Sequence, residues 1–486
     1  MAKKTKELTL EEKLEQAIVP VEEQPYEVPE NWCWTYLGQV ADWGSGGTPS
    51  RKHPEYYGGS IPWIKTGELN DGYIYDSEEK ITEEAIQHSS AKIFPKDTVA
   101  IAMYGATIGK VGIFGIDATT NQACACAKCK VPIDKKYLFH YARSQKDAFI
   151  EKGKGGAQPN ISQDIIKKHP VPLPPLAEQQ RIVDRIESLF AKLDEAKDKL
   201  QSVLDDAENH KANILYSAFE GQLSANWRKQ NSSVADSEIY LSELNEKRDK
   251  KSKFFIEKRD DLPSTWSVTK LDKFIYFAGR IGWKGLKADE YTEEGPLFLS
   301  VYNLNYGDYV DYRDAHHISA ERYDESPEIM LREDDILLAK DGAGIGKLGY
   351  VKNLPDRATV NSSLLVIRAG ESVSSKYLYY YLLGPKLQRL AKERITGSAT
   401  PHLFQKDIKE FALPVPPIEE QLYLADILER LLEREDIIFE NAKKSMDEIE
   451  VIKKSILAKA FRGELGTNIS DENSSIELLK SVIEEG

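Results

Sequence analysis

Three kinds of residue cluster in this chain could do chemistry. Cys124, Cys126 and Cys129 form a CxCxxC string. Thiolates at that spacing can hold zinc, but no histidine follows at a useful distance. GATIGK (Gly105 to Lys110) and GAGIGK (Gly342 to Lys347) look like phosphate-cradling loops. A P-loop needs four residues between its glycines and then Lys-Ser or Lys-Thr. Gly105 and Gly109 enclose three residues, and Val111 and Leu348 follow the lysines. A tight turn between two strands is the preferred reading, and such a turn can also bring Lys110 and Lys347 to nucleic-acid phosphates.

The third kind is polar residues on irregular, glycine-rich loops, where side chains can reach base edges. Gly153 to Ser162, with Lys152 before it, carries Lys154, Gln158 and Asn160. ERITGSATPHLF carries Arg394, Thr396, Ser398, Thr400 and His402. GGTPSRKHPEYYGG offers Arg51, Lys52, His53 and Tyr56, and KTGELN offers Lys65 and Asn70. Farther on stand Arg280, Lys284, Lys287, Tyr302 and Asn303. Phosphate contact or plain solvation competes with base contact at every one of them.

These clusters sit on a chain that is written twice. VPENW (Val28 to Trp32) returns as LPSTW (Leu262 to Trp266), and YGATIGKVG returns as DGAGIGKLG. KYLFHY at Lys136 returns as KYLYYY at Lys376. PVPLPPLAEQQ and ALPVPPIEEQL match, as do FEGQL at Phe219 and FRGEL at Phe461. The offset drifts only from 234 to 242 residues, the signature of a duplicated unit with small loop insertions. The duplication also bears on the cysteines. Their counterparts are Leu364, Val366 and Ala369, so small buried hydrophobes on a strand are favoured over a metal site.

Each copy begins with β-rich runs split by Gly, Pro and Asn, such as SIPWIK, DTVAIAMYG, KVGIFGI and TNQACACAKCKV. The second copy answers with GPLFLSVYNL, DDILLAKDG, KLGYV and NSSLLVIRAG, and LYYYL reads as helix. PLPPL reads as the end of the strands and the start of a helix, because Pro cannot continue a ladder but fits a helix N-terminus. Apolar residues then recur at four-three spacing: Ile182, Ile186, Leu189, Leu193, Ala196, Leu200, Val203, Ala207, and on to His210 and Ile214. The second seam runs Leu424, Leu428, Leu431, Glu435, Ile438, Ala442, Ser445, Ile449, Ile452, Ile456. His210 reads as a polar core position that sets register, and Gly221 as the residue that stops the first helix. Helices of roughly 40–45 residues reach ~60–65 Å at 1.5 Å per residue.

The expected fold is mixed α/β (α+β): two repeated globular domains joined by two long antiparallel coiled-coil helices with pseudo-two-fold symmetry. The boundaries are a helical segment over 1–27, a first domain over 28–175, a spacer helix over 176–223 and a linker with a short helix over 224–261. A second domain over 262–417, a second spacer helix over 418–465 and an acidic tail over 466–486 follow.

Bulk properties narrow the class further. Hydrophobic residues make up 41% and charged residues 30%, ordinary for a globular protein. No apolar run is long enough for a membrane span and the N-terminus lacks a signal-peptide core, so a cytoplasmic location is expected. The net charge of −14 argues against strong solitary DNA binding, although a local basic face can coexist with an acidic whole.

These strings, in this order and twice over, resemble the specificity subunits of type I restriction–modification systems. The resemblance covers about Val28 to Gly466. It implies two target-recognition domains that read the halves of a split sequence in double-stranded DNA, with the helices setting the gap. It implies partners as well: two adenine-methylating modification subunits, and restriction subunits. S-adenosylmethionine, and ATP with Mg2+ for restriction, would reside in those partners, with no cofactor in this chain. The second copy has FAGRIGWKGL in place of GGTPS, so its half-site should differ. No catalytic residue is expected. Adenine methylation needs an Asn/Asp-Pro-Pro-aromatic loop, whereas Pro174–Pro175 and Pro416–Pro417 are flanked by Leu and by Val and Ile. The competing reading is a coiled-coil scaffold that binds proteins rather than DNA.

Overall fold

The computed structural model describes residues 8–153, 159–280, 286–397 and 402–484. It divides into two compact units, residues 1–200 with 444–486, and residues 201–443. Both long helices, Leu176–Phe219 and Ile418–Ala460, contribute one half to each unit.

In the first unit, Cys33–Tyr36 pairs antiparallel with Pro170–Leu173, Trp34 opposite Pro172. The proline-rich string is thus a strand as well as a helix start, a departure from the expectation that proline ends the ladder. Proline is tolerated in an edge ladder where its missing N–H points away from the partner. The prolyl carbonyls are taken by tyrosines: Tyr137 donates to Pro172 at 2.6 Å, and Tyr141 donates to Pro170. The second unit repeats the device. Ser267–Lys270 pairs with Ala412–Val415, Tyr377 donates to Pro414 at 2.9 Å, and Tyr381 donates to Ala412 at 2.7 Å.

The first domain's main sheet has five strands, in the order Ala41–Ser45, Cys124–Cys129, Val99–Ala102, Val111–Phe114, Tyr73–Ile74. The second domain's has Tyr276–Gly279, Leu364–Arg368, Ile336–Ala339 and Leu348–Tyr350 in the same order, with a single bridge from Tyr309 to Tyr350 in the fifth place. Each domain adds a three-stranded sheet, built on Tyr57–Ile64 and on Tyr291–Leu299. Cys124 and Cys126 are fully buried in a core cluster with Ile64 and Phe114. Leu364 and Val366 hold the matching place beside Leu299 and Val360. Burial pushes the thiols up, to about 12 for Cys126 and Cys129, which suits core packing and not thiolate ligation.

The helices start on their own domain and end on the core of the other copy's domain. Ile182, Val183 and Ile186 join the first domain's core, where Leu457 and Ala460 of the second helix, and Phe461 just after it, also lie. Leu424 and Leu428 join the second domain's core together with Leu215, Ala218 and Phe219. Each buried Val, Leu, Ile or Phe side chain among these contributes about 1.5–3 kcal/mol. The antiparallel pairing is direct in the first unit, where Lys197 bonds Glu450 at 2.7 Å and Asp194 bonds Lys453. In the second unit Lys211 bonds Asp436.

The seam is thinner than the heptad pattern implies. Val203, Ile438 and Ile452 are exposed, while Leu432 and Leu457, off the expected stripe, are buried. His210 is a correction of the same kind: its side chain is 57% exposed and lies 3.6 Å from Glu435, so it sits on the rim and not in the core.

Both helices stop identically. Gly221 donates to Ala218 and Gln222 to Ser217, while Gly463 donates to Ala460 and Glu464 to Lys459. The two glycines have φ of +73° and +75°. A Cβ at Gly221 would come within 2.5 Å of Pro263, and one at Gly463 within 2.5 Å of Pro29. Only glycine fits both the left-handed conformation and that contact.

The segments after the helices dock rather than trail. The linker forms two helices, Ala225–Gln230 and Ser237–Glu246, where one was expected. Ser237 donates to Thr265, and at the other end of the chain Ser475 donates to Asn31. The acidic tail forms a helix, Ser475–Glu484, that buries Leu479 and Val482 in the first domain's core and packs against Leu10–Ala17.

Candidate nucleic-acid interface

In the first domain the turn after Val99–Ala102 is gripped by the loop that precedes the spacer helix. Gly105 donates to Pro159 at 2.9 Å and Ile161 donates to Met103 at 2.9 Å, so Tyr104 and Asn160 face each other as a β-bridge. In the second domain Leu403 donates to Lys340 at 2.8 Å and Asp341 bridges His402. The glycine-rich turn and the pre-helix loop, far apart in sequence, form one surface in each domain.

On that surface Asn160 and Tyr104 are exposed. His402 is hydrogen-bonded to the Asp341 carboxylate, and Arg394 donates to Asp407 at 2.6 Å. Lys110 is half-exposed, while Lys347 is exposed and bonded to the Asn305 carboxamide. Lys154, Gln158, Lys284, Ser398 and Thr400 lie outside the described residues.

A groove runs beside each turn. In the second unit it has a volume of about 780 Å³ and presents Lys211, Lys347, Arg389 and Lys392, with Glu208, Asp308 and Asp436 opposing them. In the first unit a groove of about 470 Å³ presents Arg143, Lys146, Lys453, Lys454 and Arg462, opposed by Asp71, Asp147 and Glu450. Lys453 and Lys211 occupy repeat-equivalent positions, as do Glu450 and Glu208. Cations therefore gather beside both turns although the whole chain is acidic.

Arg51, Lys52 and Lys65 lie on the outer part of the first domain. Arg51 donates to Glu79 at 2.6 Å and stacks over Tyr57 at 4.1 Å, and Lys65 also reaches Glu79 at 3.4 Å. The Arg51 bond holds the Glu79 carboxyl below its usual range. Lys52 is exposed.

Two expected contact residues are corrected. Arg280 is only 4% exposed. It donates to the Val360 carbonyl at 3.0 Å and to Thr359 at 3.3 Å, and it stacks over Phe298. Asn303 is 3% exposed and accepts from the Ser300 amide at 2.8 Å while donating to the Asp311 carbonyl at 2.9 Å. Both hold loops together from inside. Sequence could not show this, because a polar residue beside glycines reads the same whether it faces water or its own backbone.

Residues that sequence reading passed over are the ones that hold this surface to the helix. Trp32 donates to Glu178 at 2.7 Å, and Trp266 to Glu420 at 2.9 Å. Gln179 donates to Pro174 and accepts from the Asp134 amide, and Gln421 does the same with Pro416 and the Ser374 amide. The Glu-Gln pair of each PLPPL-type string clamps the opening tryptophan and the start of one helix of its domain, Lys135–Ser144 in the first and Ser375–Leu383 in the second. Its recurrence in both copies was the available signal.

Residues 29–205 and 290–450, more than half of the chain, match the type I restriction modification DNA specificity domain. The chain belongs to this specificity family. It is 27% identical over 451 residues to the type I restriction enzyme MjaIX specificity subunit of Methanocaldococcus jannaschii, which spans 90% of this chain and 94% of that relative. It is 25% identical over 401 residues to the EcoBI specificity subunit of Escherichia coli, across 76% of this chain and 78% of the relative. Among solved structures, the HsdS subunit of Thermoanaerobacter tengcongensis aligns with a TM-score of 0.59 and 20% identity, over 92% of this chain and all of that one. A chain from a type I restriction–modification assembly aligns with a TM-score of 0.61 at 20% identity, over 91% of this chain and all of that one. These two establish the shared fold. The specificity subunit's role is DNA sequence specificity and not catalysis, and the protein-binding scaffold is not favoured.

Proposed function

We propose that this subunit reads a split target in double-stranded DNA, one half per recognition domain, and that the paired helices set the gap between halves. The duplication of the whole domain-and-helix unit carries the reading, since each copy presents its own turn-and-loop surface. On those surfaces Lys110, Asn160, Lys347, Arg394 and His402 would meet DNA, and Lys154, Gln158, Ser398 and Thr400, close to them in sequence, remain candidates. Arg51, Lys52 and Lys65 would act from the outer part of the first domain, and Lys284 remains a candidate on sequence alone. The cationic grooves beside the turns suit sequence-neutral phosphate contact.

The partners in this reading are two modification subunits that methylate adenine with S-adenosylmethionine, and restriction subunits that use ATP and Mg2+. Exposed apolar side chains of the second long helix, Ile437 and Ile438 in one unit and Val451 and Ile452 in the other, offer such partners surfaces to cover. The site of action would be the cytoplasm. No helix among the described residues is long and apolar enough to cross a membrane. The test is to express the chain with a methylating partner and map the methylated adenines. A bipartite motif with a fixed gap is expected, and a continuous motif would refute the reading.

A further inference from the structure

The two domains build the same frame around the loop that follows their long outer strand, and dress it differently. In the first, Lys65 donates its amide to Glu68 at 2.9 Å; in the second, Ser300 donates to Asn303 at 2.8 Å. Leu69 and Ile74 pack over Gly112 just as Leu304 and Val310 pack over Gly349. A Cβ at either glycine would come within 2.6 Å or 2.4 Å of those side chains. On this common frame Gly67, with open space above it, stands where the second domain has Tyr302. The second loop also adds Tyr306, and Arg313 follows the frame.

These added side chains face outward and are held in place. Tyr302 and Tyr306 are 52% and 48% exposed, and their hydroxyls are 2.6 Å apart. Arg313 lies over the Tyr306 ring at 5.5 Å, beside an open groove of about 660 Å³ that also contains Tyr309, Tyr312 and Lys352. The Arg313 side chain is 77% exposed, that of Asp311 only 13%. Arg313 Nε donates to both Asp311 oxygens, at 3.0 and 2.9 Å, and Nη2 donates to Asp311 as well. A carboxylate on the Nε side fixes the guanidinium plane and leaves the end-on N–H groups of Nη1 and Nη2 pointing away. That pair matches guanine O6 and N7 in the major groove. Isolated exposed tyrosines are ordinary surface; a hydrogen-bonded pair under a buttressed arginine is a preorganised one.

We propose that Tyr302, Tyr306 and Arg313 form a base-reading surface peculiar to the second domain, with Arg313, buttressed by Asp311, reading a guanine in that domain's half-site. This rests on the split-target reading above and names residues within it. The surface uses only residues in which the copies differ, as a difference between half-sites requires.

The test uses the full chain assembled with its methylating partner, carrying Arg313→Ala, Arg313→Lys or the double change Tyr302→Ala/Tyr306→Ala, with methylated sites mapped for each. Both Arg313 variants should lose discrimination roughly 10- to 100-fold at one guanine of one half-site. The other half-site and the gap should be unchanged. The tyrosine pair should relax the same half-site. An unchanged motif in all three variants, a variable half-site without guanine, or an equal weakening on every sequence (the mark of a phosphate contact) overturns the proposal. A wild-type complex that methylates a continuous motif overturns the split-target reading itself, and this inference with it.

Discussion

Where domain meets helix, the two copies use the same bonds: tryptophan to glutamate, glutamine to the start of a helix, tyrosines to the carbonyls of the proline strand. Away from that junction they part. The first domain's outer part carries Arg51 and Lys65 converging on Glu79. The second carries Tyr302, Tyr306 and Arg313 on an equivalent loop. Even the lock between helix and terminal segment differs. Arg181 makes a bidentate bond to Glu472 at 2.7–2.8 Å in the first unit, while Tyr423 stacks on Trp227 and Arg228 bonds Glu420 at 2.6 Å in the second. What the copies share fixes the position of a surface, and what they do not share is free to specify what that surface reads.

The comparison can be broken first at the shared junction. Trp32→Ala or Trp266→Ala removes a buried indole and one of the hydrogen bonds to a buried carboxylate, so each should cost about 3–5 kcal/mol in chemical denaturation, equally in both copies. A large cost in one copy alone would contradict the equivalence. Next come the packing glycines. Gly112→Ala and Gly349→Ala each press a methyl into side chains of the outer loop and should each cost about 1–3 kcal/mol.

A smaller effect should separate the copies by pH. His169 is buried in the first domain, where Lys152 donates to Nδ1 at 2.9 Å and Nε2 lies 3.1 Å from Gln145 Oε1; Phe411 holds the repeat-equivalent place in the second. Burial, then the Lys152 charge, lower the His169 pKa from 6.5 to about 3. The unfolded chain therefore binds the proton first. The stability contributed by this site is complete above pH 6.5 and falls as the pH drops toward 3, by about 1 kcal/mol at pH 5.5. His169→Phe should flatten that acid dependence, read as denaturation midpoints across pH. The smallest effect concerns Cys124 and Cys126. Their raised pKa values and burial should keep them unreactive toward a maleimide at pH 7 until the chain unfolds.

Much of this was legible in the sequence because it was written twice. The strands, the glycine turns, the helix stops at Gly221 and Gly463 and the core role of the cysteines all follow from comparing one copy with the other. The proline strand was not legible, since its ladder depends on tyrosines some 30 residues upstream accepting the role of partner to its carbonyls. The seam was only partly legible. Periodicity marks which face is apolar, but not that Ile438 and Ile452 would be exposed. Arg280 and Asn303 were misplaced because side-chain type does not tell inward from outward on an irregular loop. Tyr306 and Arg313 went unnoticed although NLNYGDYVDYRD is dense in tyrosine, because their value lies in exposure and in the Asp311 contact.

In the split-target proposal the paired helices set the distance between two reading surfaces. Inserting one matched heptad into both helices adds about 10 Å at 1.5 Å per residue. With about 3.4 Å per base pair, the gap in the methylated motif should lengthen by roughly 3 base pairs while both half-sites stay the same. A methylated motif whose gap is unchanged by the insertion, in a complex that remains active, would contradict the account.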